Sequence, residues 1–190
     1  MIGNRENPDG GERVLDRAEG ERILRSGFGD QLHQISFRYT VPIAGFGTRF
    51  LSGAGDDLVS GSGFFLKVGA QLFGVTADHV YRACDEVSRR GGFTQVGNYP
   101  LNLRERLIDR SDSLDIATFR ISDVELSMVR PDLVLWEISN DRWPPRPPDV
   151  GKGVFLAGFA KPHRKQLGRQ RVEWGAYGLV LAATTVTETT

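Results

Sequence analysis

The sequence predicts an all-β protein, a small antiparallel barrel or sandwich. Three observations carry that expectation. Strand-length apolar runs recur along the chain, separated by turns that contain Gly or Pro. Ile35, Phe37, Tyr39, Val41 and Ile43 alternate with Ser36, Arg38, Thr40 and Pro42, the period of a half-buried strand. Glycine supplies 23 of the 190 residues and helical periodicity is scarce, which favours tight turns over long helices.

The elements follow in order. Met1–Gly11 is rich in Gly, Asn, Asp and Pro and reads as irregular. Glu12–Arg25 is charged, with Val14, Leu15 and Ala18 on one face, and reads as a frayed surface helix. Ile35–Ile43 is the alternating strand, with Pro42 marking an edge or corner. Gly45–Asp57 reads as a glycine-rich loop. Phe64–Val68 and Leu72–Val75 flank Gly69-Ala70-Gln71, a hairpin signal. Val80–Val87 then places Val80, Ala83, Cys84 and Val87 on one helical face, and Gly91-Gly92 stops it. Leu101, Leu103 and Leu107 suggest a strand, Asp109–Ser113 a polar turn, and Leu114–Ile121 a strand apolar on both faces. Leu133–Ile138 adds one more. Asn140–Asp149 holds Pro144, Pro145, Pro147 and Pro148 and reads as an extended connector. Beyond it come a strand at Val154–Phe159, a basic loop at Lys161–Arg171, and strands at Arg171–Trp174 and Tyr177–Ala182.

Composition excludes several classes. Lys plus Arg equals Asp plus Glu, 24 each, so no global field favours nucleic acid or an anionic membrane. Cys84 is the single cysteine, so no intrachain disulfide can form, which fits a reducing compartment. Met1–Glu12 has no apolar leader, and no apolar run approaches the roughly 20 residues of a membrane helix. A soluble, cytoplasmic protein is expected.

Two side chains stand out. His79 follows an apolar strand and opens a helical turn, so both elements fix its backbone. Asp115 lies between Leu114 and Ile116-Ala117, opening a mostly apolar strand. An ionised carboxylate there needs a partner, and an imidazole N–H is one candidate donor. Acyl transfer by a serine needs such an imidazole base, oriented by a carboxylate, beside an activated hydroxyl. Asp109 and Asp112 compete with Asp115 for the orienting role. The three aspartates lack the glycine and glutamate of a calcium loop, and neither a metal nor a cofactor is predicted. Ser62, in Gly61-Ser62-Gly63, lacks a nucleophile elbow and reads as a turn serine. Cys84 reads as packed, and Lys161, Arg164, Lys165, Arg169 and Arg171 as a solvated cluster. Asp78, directly before His79, is expected to act on the imidazole electrostatically or to face solvent.

Gly61-Ser62-Gly63-Phe64, then Val75-Thr76-Ala77-Asp78-His79-Val80, then Leu114-Asp115-Ile116-Ala117 resembles the trypsin-like (chymotrypsin-fold) serine peptidases, in particular bacterial members without disulfides. Gly153–Lys161 is similar to the stretch that opens that family's second barrel, with Ala or Lys where a proline is usual. The resemblance spans roughly residues 35–165. It implies two antiparallel barrels with a catalytic cleft between them, His79 as base and Asp115 as its orienting carboxylate. Two departures matter. Asp78 stands where a small residue or cysteine is usual. The family's G-x-S-G-G nucleophile turn is absent: after Asp115 the serines are Ser122, Ser127 and Ser139, none beside a glycine.

The expected organisation is therefore an N-terminal extension (1–34), a complete first barrel (35–140), a proline-rich connector (141–149) and an incomplete second barrel (150–190). The expected function is that of a trypsin-like serine endopeptidase-related domain, inactive as this chain. The alternative is a non-catalytic, peptidase-derived protein-binding module. A plain β-barrel recognition domain would instead keep His79 and Asp115 far apart. Proteins or peptides are the expected substrates or partners, with no nucleic acid and no membrane. A half-made barrel predicts poor order after about Pro144 and self-association through exposed strand edges.

Overall fold

The computed structural model of the protein describes residues 16–55, 57–138, 148–149, 153–167 and 172–182. The chain divides into two compact units, Met1–Leu32 and His33–Thr190. In the first, α1 (Arg17–Ile23) is capped by Asp16, whose carboxylate accepts the Glu19 N–H at 2.8 Å. A π-helical turn, Leu24–Phe28, follows, with Gly27 at φ 99°. The expected helix at Glu12–Arg25 thus exists, starting later.

The second unit is organised on one sheet. Its strands are β1 (Val41–Phe46), β2 (Leu58–Val68), β3 (Gln71–Thr76), β4 (Phe93–Val96), β5 (Tyr99–Pro100), β6 (Leu107–Ser111), β7 (Ile116–Arg120) and β8 (Trp136–Ile138). They lie in the order β5-β4-β1-β2-β3-β7-β6, all antiparallel, with β8 added parallel to β2. The β2–β3 hairpin turns through Gly69-Ala70, with Val68 facing Gln71 and Gly69 at φ 59°.

The β-rich, antiparallel expectation holds, but two parts of it need correction. The protein is not all-β: six α-helices occur among the described residues, including the 12-residue α4 (Asp78–Arg89). Nor does the sheet close into a barrel. The strand β5 has two residues and ends at Pro100, which has no N–H to extend a ladder, and the chain turns into α5 (Leu103–Arg106). Among the described residues β5 and β6 remain opposite ends of the sheet. The helix α4 packs on β1, β2 and β4, burying Val80, Tyr81 and Cys84 against Val41, Ile43, Phe65 and Val96, and Val87 is buried on the same helix. Burial pushes the Cys84 thiol up to about 12, so this cysteine is a packing group.

The alternating segment Ile35–Ile43 is also not one strand. Gly29–Tyr39 is helical (α2), and β1 starts at Val41. The helical spacing of His33 and Phe37 puts their rings on Phe155 and Phe159, at centroid distances of 5.6 and 5.7 Å, and leaves Ile35 57% exposed. The Arg130 guanidinium then donates to the carbonyls of Phe37 and Thr40, satisfying acceptors at the helix end. Within the expected glycine loop, α3 (Thr48–Ser52) forms because the Asp57 carboxylate accepts the N–H groups of Arg49 and Phe50.

A second, two-stranded sheet pairs β9 (Gly153–Gln166) with β10 (Val172–Ala182). The expected basic loop is strand as far as Gln166, and the two expected final strands are one. Between the pairs Phe159–Ala176 and Arg164–Trp174 the register shifts, and Pro162 falls in that bulge, where no ladder N–H is required of it. Val172 and Trp174 pack on Ala44, Phe46, Phe50 and Leu58. Arg164 donates to the Leu58 carbonyl at 2.7 Å. Met1–Gly11, nearly all of Asn140–Asp149, Lys161's side chain, Arg169, Arg171 and Thr184–Thr190 lie outside what is described.

Gly61 positions α4. A Cβ built there would lie 2.3 Å from Val80 Cγ2, so only glycine lets the residue after His79 approach β2 so closely. Gly61→Ala should destabilise the protein by about 1–3 kcal/mol through overpacking. Val80→Ala in the same chain should recover part of that loss. Urea unfolding of the three variants measures both.

Candidate active site

The strand β3 runs out at Thr76 and β7 begins at Ile116, and they are antiparallel neighbours with Thr76 opposite Ala117. The residues just after Thr76 therefore face those just before Ala117. That register brings His79 and Asp115 together. His79 Nδ1 lies 2.8 Å from Asp115 Oδ2, and the His79 backbone N–H donates to Asp115 Oδ1 at 2.9 Å.

Both contacts have a structural cause. Ala77 is the N-cap of α4 and offers no side-chain acceptor, so the first-turn N–H of His79 needs an external one. Asp115 supplies it and places a negative charge at the positive end of the helix. Asp115 ends the four-residue turn between Ser111 and Ile116, at φ 51°. This is the left-handed region, which Asp tolerates better than most residues. Its own N–H donates to Asp112 O at 3.3 Å.

An ionised carboxylate only accepts hydrogen bonds, so the proton in the side-chain contact belongs to Nδ1. The neutral imidazole then presents the Nε2 lone pair, the arrangement a general base requires. The backbone N–H of His79, then its side chain, hold the Asp115 carboxyl below the usual aspartate range; the charges of His79 and Arg82 add to this, and partial desolvation opposes it.

The physical ground for the pair differs from the one the sequence suggests. Asp115 is not buried at the start of an apolar strand. Its side chain is 51% exposed, that of His79 64%, and Leu114 stands 71% exposed beside them. The carboxylate is held by its two donors rather than by low dielectric.

Asp78 departs further from expectation. It does not face solvent: it is fully buried, with Oδ2 3.0 Å from Arg82 Nε and Oδ1 3.0 Å from Arg110 Nε. Neither N–H points at its oxygen along a hydrogen-bond line, so the attraction is of charge for charge. Arg82 also reaches Asp112 Oδ1 at 3.1 Å. Of the two arginines, only Arg82, four residues along α4, is visible in the sequence spacing; Arg110 reaches Asp78 from β6, a contact that only the fold creates.

The remaining candidates have other duties. Ser62 lies within β2 rather than in a turn, and its hydroxyl accepts the Phe159 N–H at 2.7 Å. The Ser122 hydroxyl forms a capping box with Glu125 at the start of α6 (Asp123–Val129). Asp109 accepts the N–H of Arg110, and Asp112 pairs with Arg82. Among the described residues no group of three His, Cys, Asp or Glu could hold a metal ion, and no helix is long and apolar enough to cross a membrane. A surface depression lined by Ser88, Gly92, Phe93, Thr94, Pro100, Leu101 and Asn102 contains no acid, base or thiol and no residue of the pair.

No protein-family model, curated protein or solved structure matches the chain.

The sign of the acid response follows from the lowered Asp115 carboxyl. Its contribution to stability is complete above the unfolded aspartate pKa of about 4 and is lost as pH falls through the lower folded value. Thermal unfolding followed against pH should show wild type losing stability more steeply than Asp115→Ala in that acid window. Parallel curves would contradict the two-donor geometry.

Proposed function

We propose that the chain is a trypsin-like serine-endopeptidase-related domain that carries the base, His79, and its orienting carboxylate, Asp115, but no serine nucleophile. The observation that carries this reading is the double grip of one carboxylate on the Nδ1 and backbone N–H of the same histidine. The grip fixes the ring's rotation and its tautomer together. The order of the three sequence motifs supports it independently of the geometry.

In this reading Nε2 takes the proton of an attacking hydroxyl, and Asp115 stabilises the resulting imidazolium through Nδ1–H. The hydroxyl is what the 190 residues lack: no G-x-S-G-G is present. Losing one triad member removes most of the rate enhancement, so the chain by itself does not turn over peptide bonds. A relationship to the trypsin-like two-barrel fold belongs to the same proposal, with the open sheet β1–β8 corresponding to the first barrel and β9–β10 to part of the second. Proteins or peptides, in a cytoplasmic setting, are the proposed substrates or partners.

The missing nucleophile favours one further reading, a peptidase-derived module that binds proteins without cleaving them. In that case the exposed Leu156, Tyr177 and Leu179 of the β9–β10 hairpin support association through that surface. The coding sequence beyond Thr190 separates the two: an encoded G-x-S-G-G supports the enzyme, and its absence supports the binding module.

Incubation of the chain with generic peptide amides and esters should give no turnover that His79→Ala abolishes. Turnover that depends on His79 would contradict the reading and reveal a nucleophile within these residues.

A further inference from the structure

The geometry points to Asp78 as the positioning residue of the pair, acting through Arg82, Arg110 and Asp112 to hold the turn that carries Asp115 against the helix that carries His79. This rests on the reading of His79 as a base held by Asp115, and it concerns what keeps that contact in place.

The network is continuous. Asp78, adjacent to His79 in the first turn of α4, touches Arg110 on β6 at 3.0 Å. It also touches Arg82, one helical turn on, at 3.0 Å, and Arg82 extends to Asp112 in the β6–β7 turn at 3.1 Å. Asp112 O in turn accepts the Asp115 N–H. The start of α4 is thus joined to the β6–β7 hairpin by Asp78–Arg110, Arg82–Asp112 and His79–Asp115.

Three features separate this from ordinary helix stabilisation. An acid that only complements the helix dipole stays in water and needs no arginine from another element. Asp78 is fully buried, and one of its arginines comes from the hairpin it would position. Arg82 has its two ends on different elements, Nε on the helix carboxylate and Nη2 on the turn carboxylate, and a guanidinium's planar fork suits that bridge. Finally, Asp115 itself sits at φ 51° and is half exposed, so neither its local backbone preference nor packing holds it in place. The charge network supplies the missing constraint.

The tautomer of His79 reads this directly, without any turnover. In wild type, long-range proton–nitrogen NMR of the imidazoles in alkaline buffer should show His79 mainly as the Nδ1–H form. Asp115→Ala should shift it to the Nε2–H form that an unconstrained histidine side chain favours. Asp78→Asn and Arg110→Met should each lower the Nδ1–H to Nε2–H ratio about fivefold, as expected for losing one net hydrogen bond. Arg110→Lys, which restores the charge, should recover part of it. Glu125→Gln, which breaks the remote Arg106–Glu125 pair, serves as the control: it should lower the melting temperature and leave the ratio unchanged. If Asp78→Asn does not fold, Arg110→Met and the exposed Asp112→Asn carry the same test. An unchanged ratio in the network variants, or an equal fall in the Glu125→Gln control, overturns the positioning role while leaving the pair intact. A wild-type ratio equal to that of Asp115→Ala overturns the pair itself, and the positioning role with it.

Discussion

The antiparallel register of β3 against β7 is the constraint from which the site follows. With Thr76 opposite Ala117, the chain leaves β3 into a helix at the place where another segment enters β7 from a turn. His79 and Asp115 are 36 residues apart in sequence and reach hydrogen-bond distance because of that pairing. Side chains alternate along a strand, so a one-residue slip would turn each inward side chain outward and separate the pair. The buried Phe65 and Phe119, packed edge to face at 6.2 Å across Gly74, and Ala117 in the same core give the register its hydrophobic grip.

On that frame the electrostatics divide into an exposed part and a buried part. The His79–Asp115 contact is open to solvent, where ion pairs contribute little by themselves. Its value lies in direction: one carboxylate serves as cap for α4 and as acceptor for Nδ1. The buried part is Asp78 between Arg82 and Arg110. Leaving a buried charge without its partners costs about 3–5 kcal/mol, so the hairpin that brings Arg110 is tied to the helix that brings Asp78. A strong constraint at low dielectric thereby stands behind a weak contact at high dielectric.

Much of this was legible in the sequence, for identifiable reasons. The β2–β3 hairpin and α4 announce themselves through strand-length apolar runs around Gly69 and through the switch to helical spacing after His79. His79 and Asp115 are conspicuous because each sits where periodicity changes. The direction of Asp78 was not legible, since adjacent helix positions point about 100° apart and adjacency to His79 says nothing about where the carboxylate goes. The helix at Gly29–Tyr39 was hidden by a chance alternation. What decides it is His33 and Phe37 against Phe155 and Phe159, contacts more than a hundred residues distant in the chain. The bulge that admits Pro162 into β9 is likewise set by pairing with β10 and not by local composition.

His79 and Asp115 form one interacting unit rather than two neighbouring surface residues. A double-mutant cycle of His79→Ala and Asp115→Ala, followed by chemical unfolding at neutral pH, measures that most directly. The His79→Ala change removes the imidazole and keeps the backbone N–H, so the cycle isolates the Nδ1–carboxylate contact from the helix cap. The predicted result is non-additivity, with the double variant losing less stability than the two single losses together. Strict additivity would contradict the account.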